Sequence, residues 1–199
     1  MRRHLILFVR APTLGRGKRR LAREIGDVAA LRFERQMIAR LLRRLAGDTR
    51  WQLRIVITPD RACREARRCL RGVEIVPQGG GDFGLRMQRA IAAAPSGPVV
   101  LIGSDIPAIS AGHIAAAFRS LGGHDLVFGP AEDGGFWLVG ARRRPRLPPL
   151  FGKIRWSSPY ALSDTLDKLP PDVTVGFVET LQDIDDGASY RRLNPQLGF

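Results

Sequence analysis

Lysine is scarce in this chain. Of 32 Lys and Arg side chains among 199 residues only three are lysine, so the formal net charge of +13 is almost wholly arginine. The basic residues are scattered and do not form one tract, and aromatic and basic residues do not interleave. That pattern reads as solvated helix faces, with phosphate binding confined to a few positions, and it ranks nucleic acid last among partners. Cysteine is nearly absent: Cys63 and Cys69 stand six apart, which is neither a CxxC nor a metal spacing, and two free thiols, buried or half-buried, are expected. His4, His113 and His124 show no ligand spacing. No apolar run approaches membrane-spanning length, which excludes a membrane-spanning helix. Leu5 to Val9 is too short for a signal h-region and no small-residue cleavage site precedes Pro12, so a cytoplasmic protein is expected. Internal repeats and low-complexity segments are missing, and the loop after the first strand is neither a Walker loop nor a GxGxxG fingerprint.

What is present is ordinary globular material, 44% hydrophobic and 26% charged, enough for one domain over residues 1–199 with a sizeable core. The organising stretch is Val99-Val100-Leu101-Ile102-Gly103-Ser104-Asp105-Ile106-Pro107. Four consecutive apolar residues predict a strand buried on both faces of a parallel sheet, followed by a tight turn at Gly103. Asp105 then falls where α/β sheets bind ligands, beyond a strand's carboxyl end; it is either a metal ligand or a turn aspartate. Strands are predicted over Leu5–Val9, Trp51–Thr58, Val73–Val76, Asp125–Gly129, Phe136–Gly140 and Val173–Val178. Helices are predicted from Asp27 to about Ala46, through the two cysteines to Gly72, up to about Ala94, and from a Ser110 cap to Leu121. A further helix capped by Ser157 or Ser158 should reach about Leu169, after an exposed basic and proline-rich excursion over residues 141–149. The alternation gives an α/β class: a mostly parallel sheet between two helical layers.

Four segments carry candidate chemistry. Residues 10–21 are rich in glycine and cations and precede a helix, which makes either a diphosphate site or a basic surface loop. The glycines of Gln78-Gly79-Gly80-Gly81-Asp82 make a mobile connection or a closely approached loop. Asp133, in the turn Glu132-Asp133-Gly134-Gly135, is a turn residue that also sets a second carboxylate at a strand end. The acidic run Asp183-Ile184-Asp185-Asp186, if extended, points Asp183 and Asp185 to one side, where magnesium or manganese would find oxygen ligands; it can equally be an acidic first turn of a helix.

The blocks FVRAPTLGRGKRRLA, QGGGDFGLRM, GSDIP, GPAEDGGFWLVG, KIRWSS and LQDIDD, in that order over nearly the whole chain, resemble the radical-SAM/selenodomain-associated transferase family of bacteria. The resemblance implies a GT-A-like nucleotide-diphosphosugar transferase fold. It implies that Ala11, Gly15, Arg16 and Lys18 hold the nucleotide and its phosphates, joined by Gly84 and Arg86 of the second block. It also implies that Asp105 and Asp185 bind a divalent metal, Mg2+ or Mn2+. Two positions depart from the family pattern, Arg10 where lysine is usual and Arg19 where threonine is usual.

On this reading Arg16 and Lys18 clamp the phosphates of a nucleotide-activated donor, and Asp133 orients or deprotonates the hydroxyl of a small-molecule acceptor. Lys18 and Asp133 are thus the catalytic candidates. The leading function is metal-dependent glycosyl transfer from a nucleotide-diphosphate sugar. The alternative is a nucleotidylyltransferase joining a nucleoside triphosphate to a phosphorylated metabolite, since Lys18 and the Asp-Ile-Asp block also resemble guanylyltransferases. Third is a non-catalytic module that binds nucleotide or RNA.

Overall fold

A seven-stranded sheet runs through the computed structural model, which describes residues 1–143 and 147–197. Its strands are β1 (His4–Arg10), β2 (Gln52–Thr58), β3 (Glu74–Pro77), β4 (Val99–Ile102), β5 (Leu126–Pro130), β6 (Phe136–Ala141) and β7 (Val175–Phe177), in the order β3-β2-β1-β4-β6-β5-β7. Among the described residues only β6 runs against its neighbours, because the short turn after β5 brings the chain straight back. The other pairings are parallel, the arrangement that helical crossovers impose. The class and the single, mostly parallel sheet expected from the alternation are both observed.

The helices are α1 (Arg19–Ile25), α2 (Asp27–Leu45), α3 (Ala62–Cys69), α4 (Phe83–Ala92), α5 (Ala111–Ser120), α6 (Ala161–Leu166) and α7 (Gly187–Leu197). Side chains along β1 alternate between the two faces: Leu5, Leu7 and Val9 join α2, α3 and α5 in one core, while Ile6 and Phe8 join α4 and α6 in the other. β4 lies between β1 and β6 and all four of its residues are buried, as the apolar run at 99–102 requires. Ser110 caps α5 as expected, and His113 completes a capping box with it. Asp82, not singled out by the sequence, caps α4 by accepting from the Leu85 N–H at 2.8 Å.

Several expectations change. The predicted serine cap is not formed: Ser157 has a left-handed φ of 57°, Ser158 Oγ accepts from the Tyr160 N–H, and α6 starts only at Ala161. Pro159, after the two serines, packs its backbone against Gly134. The last strand shortens to three residues. Cys69 is exposed whereas Cys63 is buried, and both are free. Of the supposed excursion, residues 144–146 lie outside the described residues; Arg142 pairs with Asp125, and Leu150 is fully buried against the core. Among the described residues no helix is long and apolar enough to cross a membrane.

A third, smaller core binds the end of the chain to the rest. Leu21 of α1 and Ala30, Phe33 and Met37 of α2 enclose Ile184, whose exposure is 0%. The Ile184 N–H donates to the Asp105 carbonyl at 3.2 Å, so the acidic run is also stitched to the loop after β4. Ile184→Ala is expected to cost about 2–5 kcal/mol, the range for emptying such a site. Urea unfolding measures it; a loss below about 1 kcal/mol, the scale of a surface change, would show that this small core does not anchor the segment.

Candidate active site

The carboxyl ends of β1 and β4 and the start of β6 all reach the same edge of the sheet, and a cleft of about 630 Å³ opens there. One rim is the loop after β1. Its turn is closed by the Arg16 N–H donating to the Thr13 carbonyl and by the Arg19 guanidinium donating to the Gly15 carbonyl, with Gly15 at φ +70°. Glu34 of α2 grips the loop from below. Its carboxylate accepts from the Lys18 backbone N–H, and it fills the space where a side chain at position 17 would lie, so a larger residue there would push the carboxylate aside. Burial pushes the Glu34 carboxyl above its ordinary value.

This grip sends the Lys18 side chain into the cleft. Its Nζ lies 2.7 Å from Asp185 and 3.3 Å from Asp105, and the side chain is only 11% exposed. Burial alone would lower its pKa, but the carboxylates of Asp105 and Asp185 more than offset that and hold it at about 12. Lys18 thus lines the cleft with its ammonium paired to both Asp105 and Asp185. Half-buried carboxylates brought together need a counter-charge, and this ammonium supplies it.

Asp183 completes the cluster. With Ile184 turned into the small core, Asp183 and Asp185 face the cleft together, as the alternation predicts. Asp105, Asp183 and Asp185 each offer a carboxylate oxygen, all within 4.8 Å of one another. A set of hard oxygen donors at this spacing fits Mg2+ or Mn2+. Asp186 is turned away, accepting from the Ser189 N–H at 2.8 Å at the start of α7. Asp133 both lines the cleft and accepts from the Gly135 N–H within its own turn, so its two sequence readings coexist.

The far wall is aromatic. Phe83 meets Phe8 and Trp156 edge to face, with centroids 5.8 and 5.2 Å away, and Trp156 meets Phe136 in the same manner. Phe83 is 41% exposed, a large apolar ring open to the cleft. The Arg86 guanidinium lies over Phe83, 5.7 Å from its centroid, and donates to Gln78 Oε1 at 2.7 Å. Gln78 is buried, and its amide donates to the carbonyls of Val9 and Val56, which fixes Arg86 to the ends of β1 and β2.

Of the candidates from sequence, Arg16, Lys18, Arg86, Asp105, Asp133 and Asp185 line the cleft. Ala11, Gly15 and Gly84 do not. Ala11 donates its N–H to the Thr58 carbonyl, and Gly84 lies under Trp156 and Phe151, where a Cβ would come within 2.7 Å of the indole. Asp183, Glu34, Gln78 and the ring wall were not among the chosen residues. The alternation around Ile184 carried a signal for Asp183; nothing local marked the others.

Burial first, and then the charges of Asp185, Asp105 and Asp133, push the Asp183 carboxyl up to about 6. The folded chain holds this proton more tightly than the unfolded chain, so the stabilisation present below the ordinary carboxylate range is lost as pH rises through about 6. Asp183→Asn carries no charge at any pH. With chelator present it is expected to melt above the parent protein at about pH 8, and the gap should narrow toward about pH 4. Equal melting at the higher pH would show that the carboxylates do not strain one another.

With this geometry in place, comparison with known proteins gives a consistent result. The bacterial family described as "uncharacterized protein conserved in bacteria (DUF2064)" matches residues 41–158. No curated protein matches the chain in sequence. A provisionally assigned nucleotide-diphospho-sugar transferase from Desulfovibrio desulfuricans G20 is 27% identical, with a TM-score of 0.82 over 99% of this chain and 97% of that one. The 4-diphosphocytidyl-2C-methyl-D-erythritol synthase of Anaerococcus prevotii DSM 20548 is 11% identical, with a TM-score of 0.65 over 100% and 96%. The glucosyl-3-phosphoglycerate synthase of Mycobacterium tuberculosis, solved with Mn2+, UDP and glucosyl-3-phosphoglycerate, is 16% identical, with a TM-score of 0.54 over 92% and 70%. The last two likenesses are of fold alone. The architecture is the GT-A-like nucleotide-diphospho-sugar transferase fold.

Proposed function

The chain belongs to the DUF2064 family, and on that premise we propose that it is a metal-dependent glycosyltransferase using a nucleotide-diphosphate sugar. The observation that carries this reading is the meeting of three carboxylates with the cationic rim of Arg16, Lys18 and Arg19 at the carboxyl edge of the sheet. Charge of both signs in one cleft suits a ligand that brings a diphosphate and shares a cation with the protein. Asp105, Asp183 and Asp185 would hold the cation; when bound, it supplies the positive charge that a departing diphosphate requires.

The chain's own groups divide the remaining work. Arg16 and Arg19 take phosphate oxygens from the rim, where the guanidinium fork suits them. Phe83 and Trp156 offer flat apolar faces to a ring of the donor or acceptor. Asp133, on the cleft wall, accepts the proton of the acceptor hydroxyl or holds it in line. The association with radical-SAM and selenodomain proteins belongs to this proposal, as does a cytoplasmic setting.

Nucleotidylyl transfer is the second reading. It is favoured by the number of cations at one rim, since Arg16, Lys18 and Arg19 together suit a triphosphate better than a diphosphate. The product separates the two. A nucleoside diphosphate released from a nucleotide sugar marks glycosyl transfer, and pyrophosphate released from a nucleoside triphosphate marks the other. Metal-independent binding of RNA that weakens steeply with salt would instead favour a binding module.

Thermal-shift assays with nucleotides and nucleotide sugars, with and without Mn2+, test the common premise. Asp105→Asn is expected to abolish the metal-dependent part of the stabilisation while the protein stays folded. Asp186→Asn, at the start of α7, should retain it. If a nucleotide stabilises the Asp105→Asn protein as fully as the parent, with Mn2+ making no difference to either, the metal site is wrong.

A further inference from the structure

Only three lysines serve this chain against its many arginines, and two of them, Lys153 and Lys168, are exposed on the surface. The third stands among the carboxylates of the cleft. An ammonium is a compact point charge, close in shape to a small cation, whereas a guanidinium is a broad planar fork. The position of Lys18 is not left to a flexible stem alone: Glu34 fixes its backbone, and Gly17 leaves the space that Glu34 needs. The ammonium thus stands between the two carboxylates that a cation would bridge, within 3.3 Å of both.

We propose that Lys18 is a built-in counter-ion that keeps divalent metal out of the Asp105–Asp183–Asp185 site until the phosphates of a nucleotide draw the ammonium away. This rests on the metal and nucleotide reading given above and adds an order to it. Without nucleotide, an entering cation must displace an ammonium already paired with two carboxylates. With nucleotide, the phosphates provide that anion, and the ammonium and the cation then both lie against negative charge. Metal and nucleotide therefore bind as one cooperative unit, each raising the affinity of the other by the same factor. Asp105 and Asp185, paired with Lys18 meanwhile, do not collect metal ions unproductively.

The test measures Mn2+ binding by the loss of the free-ion electron paramagnetic resonance signal, with no catalysis involved. The wild-type protein is titrated alone and with saturating ADP, CDP, GDP or UDP, the latter read as the loss beyond that caused by the same nucleotide without protein, and Lys18→Met and Arg16→Met are titrated alone. The wild type is expected to bind Mn2+ weakly by itself and about tenfold or more tightly with at least one of the nucleotides, within the usual range of coupling. Lys18→Met alone should bind Mn2+ about tenfold or more tightly than the wild type alone, a gain that Arg16→Met should not share. Lysine-labelled wild-type protein provides a readout that needs no variant. Its three Nζ resonances are few enough to assign, and that of Lys18 should move with Mg2+ plus nucleotide but not with Mg2+ alone.

If the wild type binds Mn2+ tightly without nucleotide and Lys18→Met binds no better, the counter-ion role is overturned while the metal site stands. An equal gain in Arg16→Met would also overturn it, because diffuse charge would then explain the effect. If no protein binds Mn2+ with any nucleotide, the metal site itself falls and the inference falls with it. Should Lys18→Met fail to fold, an unmoved Lys18 resonance in the wild type overturns the proposal on its own.

Discussion

Three carboxylates at one end of a sheet repel one another, and one ammonium lets them stay. Lys18 reaches Asp105 and Asp185 from the opposite rim of the cleft, so a single pair of contacts joins the first loop of the chain to the loop after β4 and to the acidic run near the end. Those three segments come from widely separated parts of the sequence, and only the sheet's shared carboxyl edge brings them together. The charge pairing depends in turn on apolar burial. Ile184 sits between two aspartates, and its complete removal from water sets both of them facing the cleft.

The parts of this arrangement that were legible in the sequence are those written in adjacent residues. The run Val99–Ile102 announced a strand buried on both faces, and Asp105 followed it at a fixed short distance. The alternation Asp183-Ile184-Asp185 announced two carboxylates on one side. In each case the signal is the period of the backbone itself, which needs no distant partner to be read. Ser110 belongs to the same class, since a cap acts within three residues of itself.

What was not legible depends on partners far away in the chain. Glu34 reads as one more charge on an amphipathic helix, and becomes a grip on the loop after β1 only because α2 packs beneath that loop. Gln78 reads as a turn residue, yet its buried amide bonds to the ends of two strands and its oxygen holds Arg86. Gly84 looked like part of a ligand-binding glycine loop; its lack of a side chain instead lets Trp156 and Phe151 close over α4. Ser157 resembled a helix cap because serine favours that role, but the chain turns there, with Pro159 packed against Gly134, and the helix starts only at Ala161.

A fold of this kind supports more than one transfer reaction, and the division of the cleft accounts for that. Glycosyl transfer releases a nucleoside diphosphate and nucleotidylyl transfer releases pyrophosphate, so both deposit negative charge on a leaving group. On the proposed reading, the acidic cluster, its cation and the arginine rim meet that shared demand in the same way for either chemistry. The two reactions differ in the electrophile, an anomeric carbon in one and a phosphorus in the other, and therefore in where the acceptor hydroxyl must stand. On the same reading, that choice falls to the opposite side of the cleft, to Asp133 and to the rings of Trp156, Phe136 and Phe83. These residues sit on the turn after β5, on β6, on the segment before α6 and at the start of α4, so changes to those connections can redirect the chemistry without disturbing the charge machinery that both reactions use.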